Sequence, residues 1–288
     1  MPRVNVGDVA LNYEQQGVGT DLVLIHGLGS DLTIWDSEAA IFGAHHRVTR
    51  PDVRGFGVSD KPPGPYSPAT FACDLDRLFV ACGIGDAHVV GISMGGVIAQ
   101  RLALDFPRRV RSLVLVSTSS EVGQKATATW QRLADRIERD GFDAQTADAS
   151  RAFSPAFARQ HPEVVAALGR RNAACDPRGY AAAARAVSDY NWTAELRRLI
   201  APTLILQGLD DQLTPPGGAV KLSRALPFAR LLLVADAGHN LPLEQPVVFR
   251  DSLLAFIAAV DFAHASRRAA PSASGDTDGH GAGLNVCR

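Results

Sequence analysis

Three residue types that can act together in nucleophilic catalysis occur in a fixed order along the chain: Ser93, then Asp210 or Asp211, then His239. A serine hydroxyl is a weak nucleophile at neutral pH unless an imidazole removes its proton. The imidazole in turn needs a carboxylate that fixes its tautomer and stabilises its charge. The order serine, aspartate, histidine is typical of one hydrolase class, and it predicts acyl-transfer chemistry centred on Ser93.

Each of these residues follows an apolar run of the kind that forms a buried strand. Ser93 stands in Gly-Ile-Ser-Met-Gly (residues 91–95), between such a run and a helical pattern, whereas the aspartates and His239 follow the runs 202–208 and 229–234. The carboxyl ends of parallel strands meet at one edge of a sheet, where open α/β sheets bind their ligands. We therefore expect the three side chains to meet at that edge, with the glycines allowing a sharp turn between strand and helix.

The remaining pattern alternates strands with helices and predicts an α/β fold. A mostly parallel eight-stranded sheet covered by helices on both faces accounts for residues 1–120 and 196–262. Residues 121–195 contain helical patterns without a convincing strand, which predicts a helical lid inserted after the sixth strand. Residues 263–288 carry few large apolar side chains, and we expect them to form a disordered tail.

Several motifs together resemble the α/β-hydrolase fold family over about residues 4–259. His-Gly-Leu-Gly (26–29) resembles its oxyanion loop, residues 52–59 its Asp-x-Arg-Gly-x-Gly-x-Ser loop, and residues 91–95 its nucleophile elbow. The resemblance implies an oxyanion hole made of the backbone amides of Leu28 and Met94. It also favours the second aspartate, Asp211, as the triad acid, with Asp210 as the rival that braces the loop.

Three further segments are similar to those of 3-oxoadipate enol-lactonases and related esterases: residues 153–157, 176–180 and 208–216. This resemblance implies a cofactor-free serine hydrolase that cleaves a small carboxylic ester or lactone through an acyl-enzyme. Cleavage of a carbon–carbon bond or a thioester, and a slow-turnover ligand receptor on the same fold, remain open alternatives. Haloalkane dehalogenases and epoxide hydrolases place an aspartate where Ser93 stands, so both are disfavoured.

Four other residues invite a functional interpretation. Trp130 could line the substrate pocket, but its helical spacing with Leu133 and Ile137 also suits core packing. We expect His26 to brace the oxyanion loop. Asp52 and Arg54 suit either a site role or an ion pair that shapes their loop.

Composition excludes other classes of function. Apolar residues make up 46% of the 288 residues and the formal net charge is −1, so nothing favours a nucleic-acid partner. The histidines and the four cysteines lack metal-ligand spacing, and the glycine pairs lack a nucleotide-binding pattern, so we expect no metal and no cofactor.

No apolar run is long enough for a membrane span, and the N-terminus lacks the core of a signal peptide, so we expect a cytoplasmic protein. The segment 121–195 holds equal numbers of acidic and basic residues, which gives no indication of an acidic substrate.

Overall fold

The apolar runs of the sequence form one mixed sheet at the centre of the computed structural model, which describes residues 2–269. Within these residues the sheet has eight strands: β1 (Arg3–Asn5), β2 (Ala10–Gln16), β3 (Thr20–Ile25), β4 (His46–Pro51), β5 (Ala87–Ile92), β6 (Val110–Val116), β7 (Thr203–Gly208) and β8 (Ala229–Val234). Their spatial order is β1-β2-β4-β3-β5-β6-β7-β8. β2 pairs antiparallel with β1 and β4, and every other pairing is parallel.

Helices connect the strands and cover both faces of the sheet. They are α1 (Asp36–Phe42), α2 (Pro68–Ala81), α3 (Met94–Asp105), α4 (Gln124–Asp140), α5 (Pro155–Gln160), α6 (Pro162–Ala173), α7 (Pro177–Ala186), α8 (Pro216–Ala225), α9 (Leu241–Glu244) and α10 (Pro246–Ala269). Several begin with proline, which fits the first helical turn because its missing N–H would have no partner there. Side chains of Ser67, Ser154 and Asp176 cap α2, α5 and α7 by accepting a backbone N–H.

The central strands are buried on both faces, as their unbroken apolar runs predict. Alternate residues enter two separate cores: Val89 packs on the side of α2 and α3, and its neighbour Val90 packs on the side of α1 and α10. On the second side the rings of Trp35 and Phe249 stack with 6.0 Å between their centroids. The two cores hold the carboxyl ends of β5, β7 and β8 at one edge.

The helices α4–α7 lie between β6 and β7, so the predicted helical insertion after the sixth strand is confirmed. We call residues 121–195 the insertion. Its two ends are joined by backbone hydrogen bonds, from Val122 N to Tyr190 O (3.0 Å) and from Trp192 N to Ser120 O (3.2 Å). The chain therefore enters and leaves the insertion at one place, beside the carboxyl edge of the sheet.

The last helix is longer than the sequence predicts. α10 continues to Ala269, so residues 263–269 are helical and the expectation of a disordered tail beginning at residue 263 is wrong for them. Ala263 and Ala265 are exposed, and alanine favours the helix without needing core contacts. The rest of the predicted tail, residues 270–288, lies outside the described residues.

Candidate active site

Ser93 lies at the turn from β5 into α3 with a strained backbone. Its φ of 54° and ψ of −117° place a non-glycine residue in a region that L-residues rarely adopt. A side chain at Gly91 would collide with the carbonyl of Gly95, and one at Gly95 would collide with the carbonyl of Ile25. The two glycines therefore let α3 pass close to the sheet, and the sharp turn holds Ser93 at the sheet edge.

The loop after β7 holds the Asp211 carboxylate with several donors. One oxygen accepts the backbone N–H groups of Leu213 and Thr214, both at 2.8 Å. The other accepts the Thr214 hydroxyl at 2.7 Å and the Gln207 amide at 3.0 Å. The side chain is fully buried, so these contacts fix its orientation.

His239, in the loop after β8, meets this carboxylate. Its Nδ1 donates to Asp211 Oδ2 at 2.9 Å, which leaves Nε2 as the nitrogen that can take up a proton. Burial raises the pKa of Asp211, but the charge of His239 and the hydrogen bonds from His239 and Thr214 outweigh it, and the net pKa is lowered. Asp210 is exposed, and its backbone N–H donates to Ala237 O at 2.9 Å.

The glycine-rich loop after β3 approaches the serine from the other side. A Cβ placed on Gly27 would lie 3.5 Å from Ser93 Cβ, and Leu28 and Met94 line the same cavity as Ser93. The amide of Met94 is the first in α3, where backbone N–H groups have no acceptor within the helix. Two backbone segments thus flank the serine: the loop after β3 and the first turn of α3.

His26 braces this loop from beneath. Its Nδ1 donates to the carbonyl of Gly27 at 2.8 Å, and its Nε2 accepts the backbone N–H of Val53 at 3.1 Å. The bond from Val53 requires an unprotonated Nε2, and burial, which lowers the pKa of His26, favours the same neutral form. The contacts agree with the bracing interpretation of His26.

Asp52 and Arg54 are engaged with protein groups and shape the neighbouring loops. Asp52 accepts from the backbone N–H of Leu32 at 2.8 Å and from that of Val58 at 2.9 Å, which joins two loops. Arg54 forms a two-pronged ion pair with buried Asp74 at 2.5 and 2.7 Å. These contacts favour the structural interpretation of both residues.

A cavity of about 350 Å³ lies between the sheet edge and the insertion. Ser93 opens into it from the sheet, and Trp130 of α4 forms part of the opposite wall. Trp130 is half-buried, whereas Ala134 and Ile137 on the same helix are the residues that enter the core. A second cavity of about 370 Å³, between α1, α6 and α10, contains neither Ser93 nor His239.

Glu244 of α9 supports the site in a way that the sequence does not reveal. Its buried carboxylate accepts the backbone N–H of Gly238 at 2.9 Å and that of Ser154 at 2.8 Å. The neighbouring Asn240 donates its backbone N–H to Ala152 O at 3.0 Å. The loop that carries His239 is thereby joined to the insertion. A glutamate five positions after a histidine gives no signal in a single sequence, because its partner lies 90 positions away.

In the part of the chain that the structure describes, no cluster of three or more His, Cys, Asp or Glu side chains could hold a metal ion. None of the helices described is both long enough and apolar enough to cross a membrane.

A mostly parallel sheet with a strained serine at one strand end, and a hydrogen-bonded aspartate and histidine at two others, is typical of α/β hydrolases. The chain belongs to the alpha/beta hydrolase fold family, whose model matches residues 21–246. The resemblance noted in the sequence is thus confirmed, and the protein is a hydrolase.

Known relatives agree with this assignment. The chain is 32% identical over 250 residues to 3-oxoadipate enol-lactonase 2 of Acinetobacter baylyi, covering 85% of this chain and 92% of that protein. The structure matches a thermophilic esterase from Thermogutta terrifontis with a TM-score of 0.84 and 30% identity, covering 90% of this chain and 99% of that one. It matches the enol-lactonase from Burkholderia xenovorans with a TM-score of 0.84 and 28% identity, covering 89% and 100% of the two chains.

Proposed function

We propose that this protein is a serine hydrolase that cleaves a small carboxylic ester or lactone through an acyl-enzyme, with Ser93, Asp211 and His239 as its catalytic triad. The observation that carries the proposal is the 2.9 Å hydrogen bond from His239 Nδ1 to buried Asp211, at the sheet edge where the strained elbow holds Ser93. An imidazole held in this tautomer leaves Nε2 as the base for a serine hydroxyl.

The proposed reaction has two halves. In the first, Ser93 Oγ attacks the carbonyl carbon while His239 takes the hydroxyl proton, and the backbone amides of Leu28 and Met94 stabilise the oxyanion. His239 then returns the proton to the leaving alkoxide, which departs or, in a lactone, stays attached to the acyl chain. In the second half, His239 takes a proton from a water that attacks the acyl carbon and then gives this proton to Ser93 Oγ, so that the carboxylic acid product is released and the free Ser93 hydroxyl is restored.

Two observations support an ester or lactone as the substrate. Relatives in sequence and structure are named as enol-lactonases and an esterase. The cavity of about 350 Å³ is at the small end of ligand pockets, which suits a compact substrate. We infer that the insertion acts as the lid of this pocket and that Trp130 contacts the bound substrate.

Replacing the nucleophile tests the proposal. We expect Ser93→Ala to lower kcat for 4-nitrophenyl butyrate by at least about 10⁴-fold, because the variant lacks the hydroxyl that forms the acyl-enzyme. Ser223→Ala is the matched control, because this α8 serine only donates to Val220 O. Thermal unfolding of both variants would show that they are folded.

Retention of esterase activity by folded Ser93→Ala would overturn the triad assignment. The same assay with lactones and thioesters would define the preferred bond. Stoichiometric acylation of the wild type without further turnover would support a ligand receptor instead of an enzyme.

A further inference from the structure

One ion pair lies in the wall of the catalytic cavity. Lys221 of α8 and Glu121 at the start of the insertion contact each other through Nζ and Oε1. Among the described residues that line this cavity, these two are the only ones with a charged side chain. The net charge of the wall is therefore zero.

The position of Glu121 is set by the backbone around it. The Ser119 hydroxyl donates to Glu121 O at 2.8 Å, and the next residue, Val122, donates its N–H to Tyr190 O. The side chain of Glu121 is 30% exposed and that of Lys221 is 51% exposed. A carboxylate that approaches Lys221 from the cavity must therefore approach Glu121 as well.

The hydroxyl groups of the wall offer little to an anion. The Tyr190 hydroxyl donates to Ser119 O at 3.2 Å, and the Thr118 hydroxyl donates to Ser93 O at 3.1 Å. Ser120 shares a 2.7 Å hydrogen bond with Thr193. Most of the remaining lining is apolar: Val97, Ala126, Trp130, Val187 and Leu213. A negatively charged substrate group would thus lose its hydration among mostly apolar side chains, next to hydroxyl groups that are already hydrogen-bonded within the protein.

We propose that Glu121 is a specificity-determining residue that cancels the charge of Lys221, so that the enzyme selects uncharged, apolar acyl groups and discriminates against substrates with a second, free carboxylate. This inference rests on the proposed ester or lactone hydrolase function. It narrows the substrate class to neutral esters and lactones.

Two substrates of equal chain length provide the test. The 4-nitrophenyl esters of hexanoic acid and of adipic acid differ at the far end of the acyl chain, which is a methyl group in one and a carboxylate in the other. We expect the wild-type enzyme to show at least about tenfold higher kcat/KM for the hexanoate, since the anion meets an apolar, uncharged wall. Equal rates, or a preference for the adipate, would overturn the proposal without a variant being made.

Variants then identify the residues responsible. We expect Glu121→Gln to raise the adipate-to-hexanoate ratio of kcat/KM roughly three- to tenfold, because Lys221 becomes an unpaired cation beside the substrate. The gain should shrink in 0.5 M NaCl. The double variant Glu121→Gln/Lys221→Gln should return the ratio to the wild-type value.

A purely structural ion pair gives a different result. It predicts a lower unfolding temperature for Glu121→Gln with an unchanged ratio, or a changed ratio that persists when Lys221 is also replaced, and either outcome would refute the proposal. If the wild type does not hydrolyse the hexanoate ester, the proposed function fails first. The binding affinities of the hexanoate and adipate esters, measured by Trp fluorescence, then decide the charge preference.

Discussion

Asp211 and Asp210 are adjacent acids with opposite surroundings. Asp211 is buried and accepts from two backbone N–H groups, the Thr214 hydroxyl and His239, whereas the side chain of Asp210 is exposed. Burial raises the pKa of Asp211, but the charge of His239 and the hydrogen bonds from His239 and Thr214 lower it by more, so the net pKa lies below the ordinary value of aspartate. Protonation of Asp211 should therefore not limit activity in mildly acidic solution.

This contrast supplies a matched pair of substitutions. We expect Asp211→Asn to lower kcat at least about a thousandfold, because the wrong histidine tautomer is then favoured. Asp210→Asn should stay within about threefold of the wild type, because it changes only an exposed group. Steady-state hydrolysis of 4-nitrophenyl butyrate measures both. A large loss in the second variant with little loss in the first would assign the acid to Asp210 instead.

Among the structural elements, the loops that form the site are held in position by hydrogen bonds from other parts of the chain. The Asp52 carboxylate joins the loops after β3 and β4, and His26 joins the oxyanion loop to Val53. Glu244 connects Gly238, in the loop after β8, to Ser154, the residue that caps α5. Each of these connections is made by a buried polar side chain that is hydrogen-bonded to backbone groups of the loops, and such bonds hold the loops in place.

Substitution of Glu244 tests whether this residue positions the loop that carries His239. Glu244→Gln keeps the shape but retains one acceptor oxygen for two backbone donors, so we expect a loss of about 1–3 kcal/mol in the free energy of unfolding. Because the loop also carries His239, kcat should fall more than KM changes. Urea unfolding and steady-state kinetics measure the two effects.

The control is Glu163→Gln, which alters an exposed glutamate on α6 within the insertion. It should change neither quantity. Equal behaviour of the two variants would mean that Glu244 has no positioning role.

At the scale of the whole molecule, buried histidines link stability to pH. His88 on β5 is fully buried, with Nδ1 accepting from the Ser112 hydroxyl at 2.8 Å and Nε2 donating to Asp261 of α10 at 3.1 Å. Burial lowers its pKa to about 4, with Asp261 opposing the shift. Burial also lowers the pKa of neighbouring His46. The folded sheet therefore favours neutral imidazoles.

The sign of the resulting pH dependence follows from proton binding. Below the unfolded-state pKa of about 6.5, the unfolded chain takes up the proton first. The free energy of unfolding should therefore be highest above that pH and should fall as the pH decreases towards 4. His88 alone should account for a loss of up to about 3 kcal/mol. Urea unfolding at pH 7.5, 6.5, 5.5 and 4.5 measures this loss.

His88→Gln should be less stable at pH 7.5 but should lose less stability on acidification. His161→Gln, at a solvent-accessible position of the insertion, is the control and should keep the wild-type slope. An unchanged slope in His88→Gln would show that His88 is not the titrating group.

The sequence alone determined the alternation of strands and helices, the elbow at Ser93, the insertion after the sixth strand, and the order of serine, aspartate and histidine. These features are local or periodic. Glycines at the elbow are required by the close passage of adjacent backbone, and continuous apolar runs mark strands buried on both faces, so a few neighbouring residues carry each signal.

Which aspartate meets His239 depends on the three-dimensional fold, because the turn after β7 directs the Asp211 side chain towards Thr214 and Gln207 and leaves that of Asp210 exposed. The same holds for Trp130, whose helical spacing suits either the core or the cavity. The contacts of Glu121 with Lys221 and of Glu244 with Ser154 join residues 100 and 90 positions apart. Such contacts form because the insertion packs against the sheet edge, and no pattern among neighbouring residues predicts how it packs.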